Sequence, residues 1–154
     1  MKITIEPIGY VYSDRKEAID DNWQNIQSHI DLVEGYSEES LEGLKEFSHV
    51  EIIYFFHKVD PSKIIIKAEH PRENNNWPKV GIFSQRKKAR PNLLGITICE
   101  IVKIENKSIY VRNFDAIDQT PIIDIKPVFK EYLPKDISSV RQPYWVAELM
   151  KNYW

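Results

Sequence analysis

A chain of 154 residues with 42% hydrophobic and 29% charged side chains fits one globular domain spanning 1–154, and no apolar run approaches the ~20 residues of a membrane span. Its net charge of −2 excludes a uniformly polyanion-binding surface, so any contact with phosphate must come from a local patch. A single cysteine, Cys99, excludes an intrachain disulfide, and the opening MKITIEPIGYVYS lacks the pattern of a signal peptide, which leads us to expect a cytoplasmic protein.

Residues 3–12 alternate Ile3, Ile5, Ile8, Tyr10 and Tyr12 around Pro7, which predicts a half-buried strand with an edge or bulge at the proline. The polar stretch 13–25 has no period and reads as a loop. Its isolated Trp23 is either a packing anchor or a ligand contact. A second strand is expected over 26–33. Ser37 then precedes Leu41, Leu44 and Phe47 at helical spacing, predicting a short helix over 38–46.

The run VEIIYFFHKV at 50–59 is the most apolar in the chain and predicts a strand buried on both faces, with His57 as a core-edge histidine at its end. A turn at 60–62, a brief strand at 64–67 and an irregular loop at 69–78 follow. Residues 80–95, VGIFSQRKKARPNLLG, place Arg86, Lys87, Lys88 and Arg90 within five positions. Four like charges cannot be buried together, because each isolated buried ion costs several kcal/mol, so this segment runs over the surface between two core strands. A hairpin is expected from 96–105 and 108–115 with its turn at Asn106-Lys107. The acidic turn DAIDQTP then leads into a short strand, and after a polar loop at 130–142 Pro143 opens a helix with Trp145, Leu149 and Tyr153 on one stripe, packed on the barrel or on a second subunit. Strands at hairpin spacing with two helices predict a mainly β barrel or sandwich.

Several chemistries lack their residues. His29, His49, His57 and His70 form no metal-ligand spacing, so no metal is expected, and neither a GxSxG elbow nor a GxGxxG loop is present. Asp115 and Asp118 are either an acid–base pair or caps of backbone amides. Together, the basic loop and the acidic turn could cradle a ligand bearing charges of both signs. S-adenosylmethionine is one such ligand, and composition alone does not select it.

The segments FSQR, RPNLLG and DAIDQTPIIDIKP, with LEGLKEFSHVEIIYFFHK, IEPIGYVYS and PYWVAELMKNYW, resemble the TrmO/TsaA-like (YaeB) family across nearly the whole chain. The resemblance implies a single-domain β-barrel, a homodimer and an S-adenosylmethionine-dependent methyltransferase. The implied acceptor is the N6 nitrogen of threonylcarbamoyladenosine at position 37 of tRNA. It further implies cofactor contacts from Arg86, from His57 and Lys58, from Ile96, from the turn Asp115, Ala116, Ile117 and Asp118, and from Trp23-Gln24, which stand in the family's Pro-Arg-Gln place. Lys87, Lys88, Arg90 and Asn92 are left for a polynucleotide substrate. The chain departs from the family at Ser13-Asp14 (Ser-Pro, after an arginine at Tyr12), Trp23 (Arg), Leu93 (Pro) and Gln119 (Gly). Two alternatives stay open beside the tRNA enzyme: a cofactor-binding sensor without catalysis, and a methyltransferase for a small non-RNA acceptor.

Overall fold

The computed structural model describes residues 1–24 and 26–154, so the loop expected over 13–25 is followed to residue 24 and Asn25 lies outside the described residues. The strands are β1 (Gly9–Ser13), β2 (Gln27–Leu32), β3 (His49–Phe55), β4 (Ala68–Glu69), β5 (Val80–Gly81), β6 (Leu94–Glu105), β7 (Ser108–Arg112) and β8 (Pro121–Pro127), and one helix, α1, covers Tyr144–Met150. Six of the strands close an antiparallel barrel in the order β1-β2-β7-β6-β3-β8. The fold is therefore mainly β, as the strand spacing predicts, with short helices around it.

The barrel interior is filled by alternate residues of each strand. Val11, Ile30, Val50, Ile52, Cys99, Ile109, Val111, Phe114 and Ile122 are all buried, each aliphatic side chain contributing about 1.5–3 kcal/mol by leaving water. Across the β3–β6 ladder Val50 pairs with Cys99, Ile52 with Thr97 and Tyr54 with Gly95. The last pair is a fit of large to small. A Cβ at position 95 would lie 2.4 Å from the Tyr54 ring, which also meets Phe114 and Phe56 edge-on at 5.4 and 5.3 Å.

Several expected elements differ. Residues 3–8 are not a strand: Met1–Glu6 are exposed, and the chain enters the barrel only where the Ile8 amide donates to the Ile122 carbonyl at 2.8 Å. The helix expected over 38–46 is two single 3-10 turns, Glu38–Leu41 and Leu44–Glu46, separated by Gly43 at a left-handed φ of 78°. The strand expected over 50–59 stops at Phe55 and is alternately buried and half-buried, because its outward residues face solvent rather than a second layer. Residues 64–67 find no free edge, since the barrel is closed; the short strand is instead Ala68–Glu69 against Val80–Gly81. The β6–β7 hairpin forms as expected, with Asn106 supplying φ of 51°, although β7 ends at Arg112. In α1 only Trp145 is buried, and Trp77 meets it at 6.4 Å while donating to Glu148 at 2.6 Å. The helix thus docks on the 70s loop. Among the described residues, no helix is long and apolar enough to cross a membrane, and no three ligating side chains cluster to hold a metal.

The Tyr54–Gly95 fit generates a stability prediction. Gly95→Ala is expected to lower the unfolding free energy by about 1–3 kcal/mol in a denaturant titration. Gly81→Ala, whose Cβ would meet nothing within 4 Å, is expected to stay within about 0.5 kcal/mol of the parent.

Candidate functional site

The antiparallel register brings three loops to one end of the barrel: 14–24 after β1, 56–93 between β3 and β6, and 113–120 between β7 and β8. All the candidate site residues lie in these loops except Ile96, which sits near the start of β6. The other end carries 33–48 and the β6–β7 turn.

Asp115 is the centre of the arrangement. Its Oδ1 accepts the Tyr54 hydroxyl at 3.0 Å and the Thr97 hydroxyl, and its Oδ2 accepts the Tyr153 hydroxyl. Burial, then the Asp115 charge, pushes the Tyr54 phenol far above its ordinary range, so it stays a donor. Cys99, behind it in the barrel, has its thiol pushed up for the same two reasons, in the same order. Ala116 and Ile117 are buried. Asp118 caps backbone: its Oδ1 accepts the Ser13 amide at 3.1 Å, and its own amide donates to the Arg15 carbonyl at 2.8 Å. Of its two readings, capping is the one that geometry supports, and Asp118 ties the acidic turn to β1.

Loop 14–24 is gathered around Arg15. Its guanidinium donates to the carbonyls of Asn22 (2.9 Å), Ile19 (2.8 Å) and Asp21 (2.7 Å), and lies 3.7 Å from the Trp23 ring centroid. Trp23 is only 4% exposed, so its side chain packs inside the loop; Gln24 is exposed.

The basic stretch is braced rather than free. Lys87 pairs with Glu69, and Lys88 lies 3.2 Å from Asp20. Arg90 donates to the Gln85 carbonyl at 3.0 Å. Lys87 and Lys88, which the sequence leaves for phosphate together with Arg90 and Asn92, thus each face a carboxylate in this structure. Arg86 is exposed and donates to the Ile96 carbonyl, whereas the Ile96 side chain faces outward. Asn92 is exposed. His57 is half-buried and held below its ordinary range, first by burial and then by the Lys58 charge, so it is neutral near pH 7. Lys58 reaches the Lys16 carbonyl at 3.2 Å.

Sequence reasoning missed Tyr54, Thr97, Arg15 and Tyr153. Thr97 left a signal, being a polar residue in phase with the buried Gly95 and Cys99. Two cavities lie elsewhere. One of about 370 Å³ sits at the far end among Ile8, Leu32, Leu41, Leu44 and Phe47, and one of about 220 Å³ sits outside the barrel by Tyr12, His29 and Tyr110.

The profile of the tRNA-methyltransferase O N-terminal domain matches residues 15–133. The mouse tRNA (adenine(37)-N6)-methyltransferase is 42% identical over 102 residues, 66% of this chain and 23% of that protein, and the human protein of the same name is 43% identical over 62% and 21%. This chain thus spans under a quarter of those relatives. A probable S-adenosyl-L-methionine-binding protein of Pyrococcus abyssi is 31% identical over 99% of this chain and 79% of its own length. The crystal structure of TrmO from Pseudomonas aeruginosa superimposes with a TM-score of 0.74 at 24% identity over 94% of this chain and 62% of that one, which establishes the shared fold.

Two outcomes follow from the Asp115 cluster. Tyr54→Phe removes one donor from a half-buried carboxylate and is expected to cost about 1–3 kcal/mol in chemical unfolding. Cys99 is expected to resist iodoacetamide at about pH 8 in the native protein and to react once the protein is unfolded; rapid native labelling would contradict its burial.

Proposed function

This chain belongs to the tRNA-methyltransferase O N-terminal domain family, and from that premise we propose that it is an S-adenosylmethionine-dependent methyltransferase acting on the N6 nitrogen of threonylcarbamoyladenosine at position 37 of tRNA. The observation that carries the reading is the convergence of a carboxylate, a guanidinium and a buried apolar turn at one end of the barrel. The names of the mouse and Pyrococcus relatives support the acceptor and the cofactor respectively.

The donor set fits the cofactor. The exposed Arg86 guanidinium suits its carboxylate, the Asp115 carboxylate suits its ammonium or ribose hydroxyls, and Ala116 and Ile117 offer an apolar bed. His57 and Lys58 would border the site, His57 as a neutral side chain that adds no charge beside a sulfonium. Trp23 would contribute by packing the loop and Gln24 by direct contact, while Ile96 would offer its carbonyl through Arg86. Asp118 would keep the turn in register with β1. S-adenosylmethionine supplies an electrophilic methyl group, transferred as the acceptor nitrogen bonds to carbon, the C–S electron pair goes to sulfur and the nitrogen loses a proton. The chain's own part is to position both reactants and hold water away, and no side chain here is assigned as a base.

Residues 1–154 would act as one such domain, in the cytoplasm with the tRNA, and as a homodimer. Ile96, Ile98 and Val102 leave an apolar strip outside β6, 38%, 44% and 45% exposed, that a second copy would cover. Arg90 and Asn92 would approach the RNA, and Lys87 and Lys88 would do so by exchanging Glu69 and Asp20 for phosphates. Those ion pairs favour the second reading, a small non-RNA acceptor; a sensor without methyl transfer is the third.

Calorimetry with S-adenosylmethionine is expected to give one site per chain, weakened about tenfold or more in Arg86→Ala. Labelled cofactor is expected to mark tRNA that carries the threonylcarbamoyl group and to leave tRNA without it unmarked. Cofactor binding with no labelled RNA would sink the tRNA reading, and absence of cofactor binding would sink the methyltransferase.

A further inference from the structure

The donors among the described residues hold the Asp115 carboxylate so that one acceptor position stays open. A carboxylate offers about four lone-pair positions, two on each oxygen. Tyr54 and Thr97 both donate to Oδ1, which is thereby filled, and Tyr153 donates to Oδ2, which keeps one position. A donor arriving from a ligand must land on Oδ2, beside the Tyr153 hydroxyl.

Tyr153 reaches this point through the segment that follows α1. Its amide donates to the Met150 carbonyl at 3.0 Å, turning the chain back after the helix. Asn22 then donates to the Asn152 carbonyl at 2.8 Å and Trp23 to the Tyr153 carbonyl at 2.7 Å. These two amides belong to the loop that Arg15 folds, so segment 152–153 is pinned independently of its hydroxyl. Burial and the neighbouring Asp115 charge keep the phenol protonated, while the Arg86 charge acts on it in the opposite sense. The hydroxyl thus lies under the influence of both groups assigned to the two charged ends of the ligand.

We propose that Tyr153 is a positioning residue of the ligand site: its hydroxyl fixes Oδ2 of Asp115 so that the remaining acceptor position receives a hydroxyl or ammonium donor of the cofactor. The proposal rests on the cofactor reading above and adds a residue to which the family resemblance assigns no ligand contact. Phenylalanine would keep the ring and its packing while removing only the donor.

The test is calorimetry with S-adenosylmethionine on the parent protein, Tyr153→Phe, Asp115→Asn and the double variant, with amide hydrogen exchange at Asn22 and Trp23. The expected result is about tenfold weaker binding in Tyr153→Phe, the loss of a hydrogen bond to a charged group. Asn22 and Trp23 should keep their protection, and the double variant should bind no more weakly than Asp115→Asn, because the hydroxyl acts through that carboxylate. Unchanged affinity in Tyr153→Phe overturns the proposal, as do multiplicative losses in the double variant. Lost protection at Asn22 and Trp23 also overturns it, since Tyr153 would then be an anchor of the loop. If the parent binds no cofactor, the methyltransferase reading falls and this one with it.

Discussion

A carboxylate at the mouth of a closed barrel has to be satisfied by the barrel itself, and the Asp115 end is built around that requirement. Two of its donors come from inward-facing positions, Tyr54 on β3 and Thr97 on β6, where purely apolar side chains would serve the core equally well. Placing a tyrosine there requires space opposite it, and Gly95 provides the space because any Cβ would strike the ring. The third donor requires the chain after α1 to return to the barrel, which in turn requires loop 14–24 to offer its amides. A single charge therefore links β3, β6, the acidic turn, the β1–β2 loop and the end of the last helix.

The positive charges of the neighbouring loop obey the same rule at lower cost, because they are partly solvated. Lys87 takes a carboxylate from β4 of its own connection and Lys88 one from the β1–β2 loop, and Arg72 takes Asp21 through both oxygens, at 2.6 and 2.9 Å. Ion pairs this exposed add little stability individually. Their effect is on shape: they tie loop 14–24 and the 69–73 segment to the basic stretch. That arrangement leaves Arg86, of the four clustered cations, as the one directed to β6.

What was legible in the sequence was whatever depends on local pattern. The β6–β7 hairpin could be read because alternation and Asn106 specify it within a dozen residues, and the barrel class followed from strand spacing. The 38–46 region could not be read, because Leu41, Leu44 and Phe47 have helical spacing while Gly43 breaks the chain between them. Residues 64–67 read as a strand by propensity but have no edge to join once the barrel is closed. Tyr153 was visible only as one position of an apolar stripe. Its pairing with Asp115 spans 38 residues and depends on the loops in between, which no local period encodes.

The two departures within the motifs have opposite structural meaning. Gln119 stands where the family reads glycine, at a left-handed φ of 62°, a conformation that costs a side-chain-bearing residue about 1–2 kcal/mol. Its amide donates to the Val11 carbonyl at 2.7 Å, next to the Asp118 bonds to β1, so the turn keeps the conformation glycine would take without strain. Leu93 stands where the family reads proline, at φ of 54°, whereas a proline ring is locked near −65°. The loop that follows Arg90 must therefore take a path closed to a chain with proline at that position. Gln119 takes on the Asp115 side a conformation open to glycine, and Leu93 takes next to Arg90 and Asn92 one closed to proline. The acidic turn thus holds its tie to β1 at a cost in strain, and the basic loop beside it follows a path that proline at position 93 would not allow.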